Sequence, residues 1–508
     1  MYNEETKIPG RIELSPFSEC ALNMNHLIRS KVRIVGDEQL GVVPAISARR
    51  HYTFYNAHPA HSLYHVSSYP PSSILIIGTG VFSLSTTLSL LKRPAYKNTT
   101  ITLLDRSPFP APDASSVDSS RIIRADYSDP LYSELAASAQ EEWRQTGDDE
   151  LGGQGRYTES GLCLTCDTSY ENSGQGYVRG SYSNVQQLMK QSGDTDGVQE
   201  LPSPEAIQNL LKSGPGSGEW GYINRRSGWA DAEASLVWLR KEVEKLSNGR
   251  VQFVVSEATS LIFSTDQSSV LGANTASGTQ YFADLTILAA GAWSAKFLDL
   301  RSQVHSSGQC LLYIDITDEE QEKYKNIPVL LNMSTGYFII PPRNNVLKIA
   351  RHAHGYSNPT GIPNPSSPSE TISVSLPRTT YDHPSNCVPT SFQAEAATAL
   401  HTLLPDLPPR PFSHTRICWY TDTPTGEFLI TYCDKPQSSG GLGLTGVFLA
   451  TGGSGHGFKF LPVLGEKIVD VLEGKDEVWA KKWAWKATRG WDGMTDDGSR
   501  AGERGEKL

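Results

Sequence analysis

The feature that most constrains this chain is a glycine-punctuated turn set between two apolar runs. Residues 74–77 form a short continuous apolar stretch of the buried-strand type, Gly78-Thr79-Gly80-Val81-Phe82-Ser83 follows, and residues 81–91 are apolar enough for a packed helix. A second strand is expected over residues 101–104 and ends at Asp105. This order predicts a βαβ unit of the Rossmann type. Gly78 and Gly80 permit a tight turn and close approach of a pyrophosphate to the helix N-terminus, and Asp105 is placed to accept hydrogen bonds from a ribose. Ser83 stands where a third glycine is usual, and is small enough for a close helix-to-strand contact. The acid at 105 disfavours a 2′-phosphate, but the turn alone does not choose between NAD and FAD.

A chain of 508 residues is too long for one core, which stops growing at about 250 to 300 residues. Two domains are therefore expected, of α/β class overall: a dinucleotide domain assembled from separated segments (73–155, 220–300 and 420–485), and an inserted α+β substrate domain on a mixed sheet (156–219 and 301–419). Further βα signals support this, with a helix over 235–246 and strands over 251–255, 285–290 and 447–450. Residues 1–72 read as an N-terminal extension ending in a Ser/Pro-rich linker, and 486–508 as a polar tail. Two stretches without a strong period, the Gly/Ser-rich 173–217 and the Pro-rich 358–377, are expected to be loops or insertions.

Charge and cysteine usage exclude several roles. Lys plus Arg total 45 against 55 Asp plus Glu, a net charge of -10 that argues against nucleic acid as a partner. No run approaches the roughly 18 apolar residues of a membrane span. Seven cysteines and no basic-then-apolar leader point to a reducing interior. Cys163 and Cys166 have redox or zinc spacing, but a lone pair in an alternating segment is assigned a structural role, and no metal site is expected.

Four further blocks carry a resemblance. They are Ser119-Ser120-Arg121-Ile122-Ile123-Arg124 with Tyr127 and Trp143 beyond it, Leu347-Lys348-Ile349-Ala350-Arg351-His352, Arg416-Ile417-Cys418-Trp419-Tyr420-Thr421, and Gly453-Ser454-Gly455-His456-Gly457-Phe458-Lys459-Phe460. In this order, and with the glycine turn, the chain from about 73 to 485 resembles the sarcosine oxidase family. Those FAD-dependent amine oxidases include sarcosine, pipecolate and saccharopine oxidases and the fungal fructosyl amino acid oxidases.

The resemblance implies FAD as cofactor, oxidation of a C–N bond in a secondary amino acid to an imine, and reduction of O2 to H2O2, by a monomer. It implies a flavin tethered through its 8α-methyl group to Cys418, a cysteine that on its own reads as a buried structural thiol. Ser120, Arg121, Gly455 and Gly457 would lie against the flavin, with Ala289-Ala290-Gly291-Ala292-Trp293 as a second contacting turn. Arg124 and Lys459 would bind the substrate carboxylate, a task suited to the planar guanidinium fork. Lys348 would favour electron transfer to O2; His352 and Tyr420 would line the substrate site. Without the resemblance, Arg121 and Arg124 read as a solvated basic face if helical, and Lys348 with His352 as an inert strand or loop pair.

Three other readings stay open: a biosynthetic enzyme whose iminium product cyclises, a flavin-binding protein without catalysis, and a nicotinamide dehydrogenase, in which the blocks at Cys418 and Lys459 would have no purpose. The turn from Ala450 to Ser454 lacks the aromatic residue its relatives often carry, so a wider cavity is expected. The C-terminal Glu506-Lys507-Leu508 shares only its last two residues with a peroxisomal Ser-Lys-Leu address, which leaves cytosol and peroxisome both open.

Overall fold

The computed structural model describes residues 70–169, 173–194, 196–385, 387–436, 441–486, 491–501 and 507–508. The expected extension therefore lies outside the described residues up to position 69. The apolar run that opens the glycine turn becomes the strand Ser73–Ile77, with Ile74, Leu75 and Ile76 each at most 1% exposed. It sits inside a six-stranded sheet of order Leu429–Tyr432, Val447–Thr451, Leu285–Leu288, Ser73–Ile77, Thr100–Asp105, Val251–Val255. Every pairing is parallel except that of the edge strand Leu429–Tyr432. Ile74 faces Ile101 on one side and Leu285 on the other, so the chain leaves the central strand in opposite directions across the sheet. That is the switch point where α/β sheets bind ligands at the strand C-termini.

The helix Val81–Lys92 covers this sheet together with Ala232–Ser247 and Leu461–Leu472. Its approach to the last helix needs a glycine, because a Cβ on Gly465 would stand 1.8 Å from the Ser85 carbonyl oxygen. Ser85 Oγ closes the contact by accepting from Gly465 N at 2.7 Å and donating to the Leu461 carbonyl at 2.8 Å.

An eight-stranded sheet has the order His414–Asp422, His305–Asp315, Val346–Arg351, Tyr337–Arg343, Val329–Asn332, Leu162–Cys166, Trp220–Asn224, Val198–Leu201. It is mixed, since Val329–Asn332 runs parallel to Leu162–Cys166 and the other pairs are antiparallel. Trp220–Asn224 thus pairs within this sheet, although the sequence puts 220–300 with the dinucleotide segments. Arg121–Ile123 joins Gly228–Ala230 and Tyr157–Thr158 in a small third sheet.

Two expected loops are regular structure. Within 173–217 lie the helix Ser173–Ser192, the strand Val198–Leu201 and the helix Pro204–Leu211. The first helix buries Tyr177, Val178, Ser181 and Val185 on one face, so packing overrides the poor helix propensity of its glycines and serines. The Pro-rich stretch forms the hairpin Pro359–Asn364 with Ser367–Ser375, which pairs only with itself and so tolerates proline. The tail is also more than a polar appendage, because Thr495, Ser499 and Arg500 are each 6% exposed. No helix among the described residues is long and apolar enough to cross a membrane.

Candidate active site

A cleft of about 1280 Å³, counted to its open mouth, runs along the C-terminal ends of the parallel strands. The glycine turn forms one wall. Gly78 has φ +112°, and a Cβ there would meet the Ala289 carbonyl oxygen at 2.5 Å, so the turn requires glycine twice over. Gly80, at the N-cap of the Val81–Lys92 helix, has no side chain to accept from the first turn; Val81 N donates to Ser116 Oγ at 3.2 Å, and Gly80, Val81 and Ser116 all line the cleft. Asp105 lines the cleft and accepts from Thr79 N at 2.8 Å and Thr79 Oγ1 at 2.7 Å, so the acid and the turn hold each other in place. Arg121, Tyr420, Gly455 and Gly457 also line it, as does the 289–293 turn, whose Ala289 N donates to the Ile77 carbonyl at 3.0 Å beside the glycine turn.

A second cavity, of about 770 Å³, shares Arg121, Tyr420, Gly455 and Phe458 with the first. Arg124, Lys348, His352, Tyr420 and Lys459 all line it, so four distant sequence blocks converge. Arg121 and Arg124 do not share a helical turn: Arg121 opens a strand and Arg124 follows its end. Arg124 is 6% exposed, donates from Nη2 to Tyr177 Oη at 3.1 Å, and lies over the rings of Tyr127 and Tyr177 at 4.8 and 5.6 Å. Its buried Nη1 has no hydrogen-bond partner. Burial works against its charge, but Tyr177, Tyr127 and Asp126 outweigh that and raise its pKa.

Lys459, on the short turn Phe458–Phe460, donates to Tyr127 Oη at 2.9 Å and to the His456 carbonyl at 3.0 Å. Burial, then the charge of Arg124, pulls its pKa well down. His456 Nε2 lies 2.8 Å from the Gly426 carbonyl and must donate to it, so Nδ1 accepts from Tyr127 Oη at 2.9 Å. A directed chain results, from Lys459 through Tyr127 to His456. Burial also lowers the pKa of His456 and of His352, beside which Arg500 adds its charge. Tyr420 is pushed up to about 12 by burial and packs against Gly455, whose added Cβ would stand 2.3 Å from the ring.

Lys348 donates to Asp118 Oδ2 at 2.6 Å and to the Ser120 carbonyl at 3.0 Å. Asp118 also receives Arg121, Ser119 N at 2.7 Å and Tyr313 Oη at 2.6 Å. Burial foremost, then the neighbouring Arg121, disfavours the Lys348 charge, and Asp118 is its counter-ion. Arg121 Nη2 reaches the Ser115 carbonyl at 2.8 Å and lies 3.4 Å from Cys418 Sγ.

The comparisons with known proteins agree with this geometry. Residues 73–471 match the family model described as FAD dependent oxidoreductase. The chain belongs to that family. It is 30% identical over 473 residues to an amino acid oxidase of Aspergillus fumigatus, covering 79% of this chain and 92% of the relative. It is 32% identical over 433 residues to L-saccharopine oxidase of Schizosaccharomyces pombe, covering 82% and 93%. Among solved structures it is similar to the deglycating enzyme fructosamine oxidase (Amadoriase II) of Aspergillus fumigatus, with TM-score 0.67, 29% identity, and 86% and 95% of the two chains covered.

The residues present fit FAD. The glycine turn, the helix N-terminus that follows it and Asp105 suit a pyrophosphate and ribose, and Arg121, Gly455 and Gly457 line the same cleft. Not every expected contact faces it. Ser83 is fully buried behind the turn, where an added Cβ on Gly78 would be 3.4 Å from its Oγ, so it supports the turn and does not line the cleft. Ser120 lines the second cavity instead. Cys418, also fully buried, lies behind Arg121. Sequence reasoning missed Asp118, Tyr177 and the tail residues Asp497, Ser499 and Arg500. Only Asp118 left a signal, an acid immediately before an arginine-bearing block.

Proposed function

We propose that this chain is an FAD-dependent oxidase of a secondary amino acid, which converts the substrate C–N bond to an imine and yields hydrogen peroxide. Bound FAD supplies the two-electron oxidant and, once reduced, passes both electrons to O2. The observation that carries the reading is the buried Arg124, which lines a cavity adjoining the cofactor cleft and whose Nη1 has no hydrogen-bond partner among the described residues. An unsatisfied buried guanidinium nitrogen costs free energy, and a carboxylate offsets that cost with a charge-assisted bond.

Lys459 is the second carboxylate partner, and an arriving anion restores the charge that burial and Arg124 disfavour. Tyr127 is fixed between Lys459 and His456, so the clamp is oriented before substrate arrives. Burial and the cations around the cavity hold His352 and His456 neutral, and the same two causes disfavour a positive charge on the substrate nitrogen and favour its uncharged, oxidisable form. The amine then loses two electrons and two protons, and water hydrolyses the imine to an amine and a carbonyl compound. Lys348, neutralised by Asp118, is the cation proposed to favour O2 reduction, and Cys418 is the proposed tether for the flavin.

Sarcosine, pipecolate, saccharopine, N-methylated aromatic amino acids and fructosyl amino acids form the test panel. At least one should bleach the flavin anaerobically and release peroxide in air. A holoenzyme bleached by none of them would refute the oxidase reading.

A further inference from the structure

Residues 491–501 form part of the wall of the substrate cavity, into which Asp497 and Ser499 face beside His352 and Lys459. Long-range bonds fix this strap. Thr495 Oγ1 donates to the Thr423 carbonyl at 2.9 Å and Asp496 N to the Pro424 carbonyl at 2.9 Å. Buried Arg500 pairs with Asp422, donates to the Ser454 carbonyl at 3.0 Å, and lies 5.4 Å from the centre of the Tyr420 ring. No described residue after Phe458 lines the cofactor cleft, so the strap serves the substrate cavity alone.

The charge it carries is unexpected for a carboxylate-binding wall. Arg121, Arg124, Lys348 and Lys459 are the basic liners, and Asp497 is the one acidic side chain among the described residues that line the cavity. Its hydrogen bonds come from Ser499, N at 3.0 Å and Oγ at 2.7 Å, both on Oδ1, with the same Oγ 2.8 Å from Oδ2. A carboxylate offers about four lone-pair positions, so Oδ2 keeps acceptor capacity. An acid in the same cavity as Arg124 and Lys459 opposes a carboxylate substrate unless the substrate also brings a cation.

We propose that Asp497 is a specificity residue that receives a second, protonated amine of the substrate, so that the chain selects secondary amino acids bearing a distal ammonium group. This rests on the oxidase reading above. Two isosteric pairs test it: Nα-methyl-L-lysine against N-methyl-L-2-aminoheptanoic acid, and N-(aminopropyl)glycine against N-butylglycine. Affinity is read anaerobically from the perturbation or bleaching of the flavin spectrum, in holoenzyme and in holoenzyme carrying Asp497→Asn.

In wild type the ammonium member of at least one pair should bind about tenfold or more tightly than its methyl partner. Asp497→Asn should remove that preference by weakening the ammonium member only. Equal affinities within both pairs in wild type would overturn the proposal without any variant, and so would a loss that falls alike on both members. If none of these four compounds alters the spectrum of a fully flavinylated protein that a member of the first panel bleaches, this inference fails and the oxidase reading stands; if neither set does, both fail.

Discussion

Arg124 keeps one guanidinium nitrogen buried and unpaired, an arrangement that is costly unless a ligand completes it. Hydrogen bonds to charged groups contribute about 1.5–3 kcal/mol, so Arg124→Gln should raise KM for the amino acid about 10- to 150-fold, with flavin content unchanged by absorbance. At Cys418 the expectation concerns the cofactor's attachment. Cys418→Ser should give a yellow protein whose flavin is wholly released by acid precipitation, whereas wild type should retain its colour in the pellet. His352 and His456 govern a pH response. Each has a folded pKa below its unfolded value near about 6.5, so the unfolded chain binds their protons more readily. Their neutral burial is therefore fully compatible with folding above that value and increasingly unfavourable below it. The melting temperature should fall on acidification from about pH 6.5, and less steeply in His456→Gln, as followed by thermal denaturation across pH.

At the scale of elements, two glycines hold the molecule's backbones at contact distance. Gly465→Ala would drive a methyl group into the Ser85 carbonyl between the first and last helices on the parallel sheet, and overpacking of this kind costs about 1–3 kcal/mol, visible in urea unfolding. The glycine turn, the central strands and the helix after them were legible in the sequence because each is specified locally, by an apolar run, a glycine and an acid in fixed order. The cations of the active site were not legible that way. Lys348 and His352 gained meaning only through family resemblance, since nothing in their spacing distinguishes them from an ordinary strand pair. The helix Ser173–Ser192 was missed because its Gly- and Ser-rich sequence has poor intrinsic propensity, and its buried face is defined only by what packs on it. Arg500 was invisible for a related reason: its partner Asp422 is 78 positions away, on a strand of another segment.

For the whole molecule, the decisive property is that the two cavities share a wall. Arg121, Tyr420, Gly455 and Phe458 belong to both, so a cofactor held in the first would complete the boundary of the space that Arg124 and Lys459 serve. Cofactor and amino acid are consequently coupled ligands, and coupling free energy is reciprocal. Whatever factor FAD adds to the affinity for a carboxylate, the carboxylate must return to the affinity for FAD. In Cys418→Ser, where the proposed tether is gone, a saturating non-oxidisable carboxylate should tighten FAD binding and slow its loss on dilution, and this gain should vanish when Arg124→Gln is added. An abundant substrate would then act, for this fold, as a retention signal for its own cofactor.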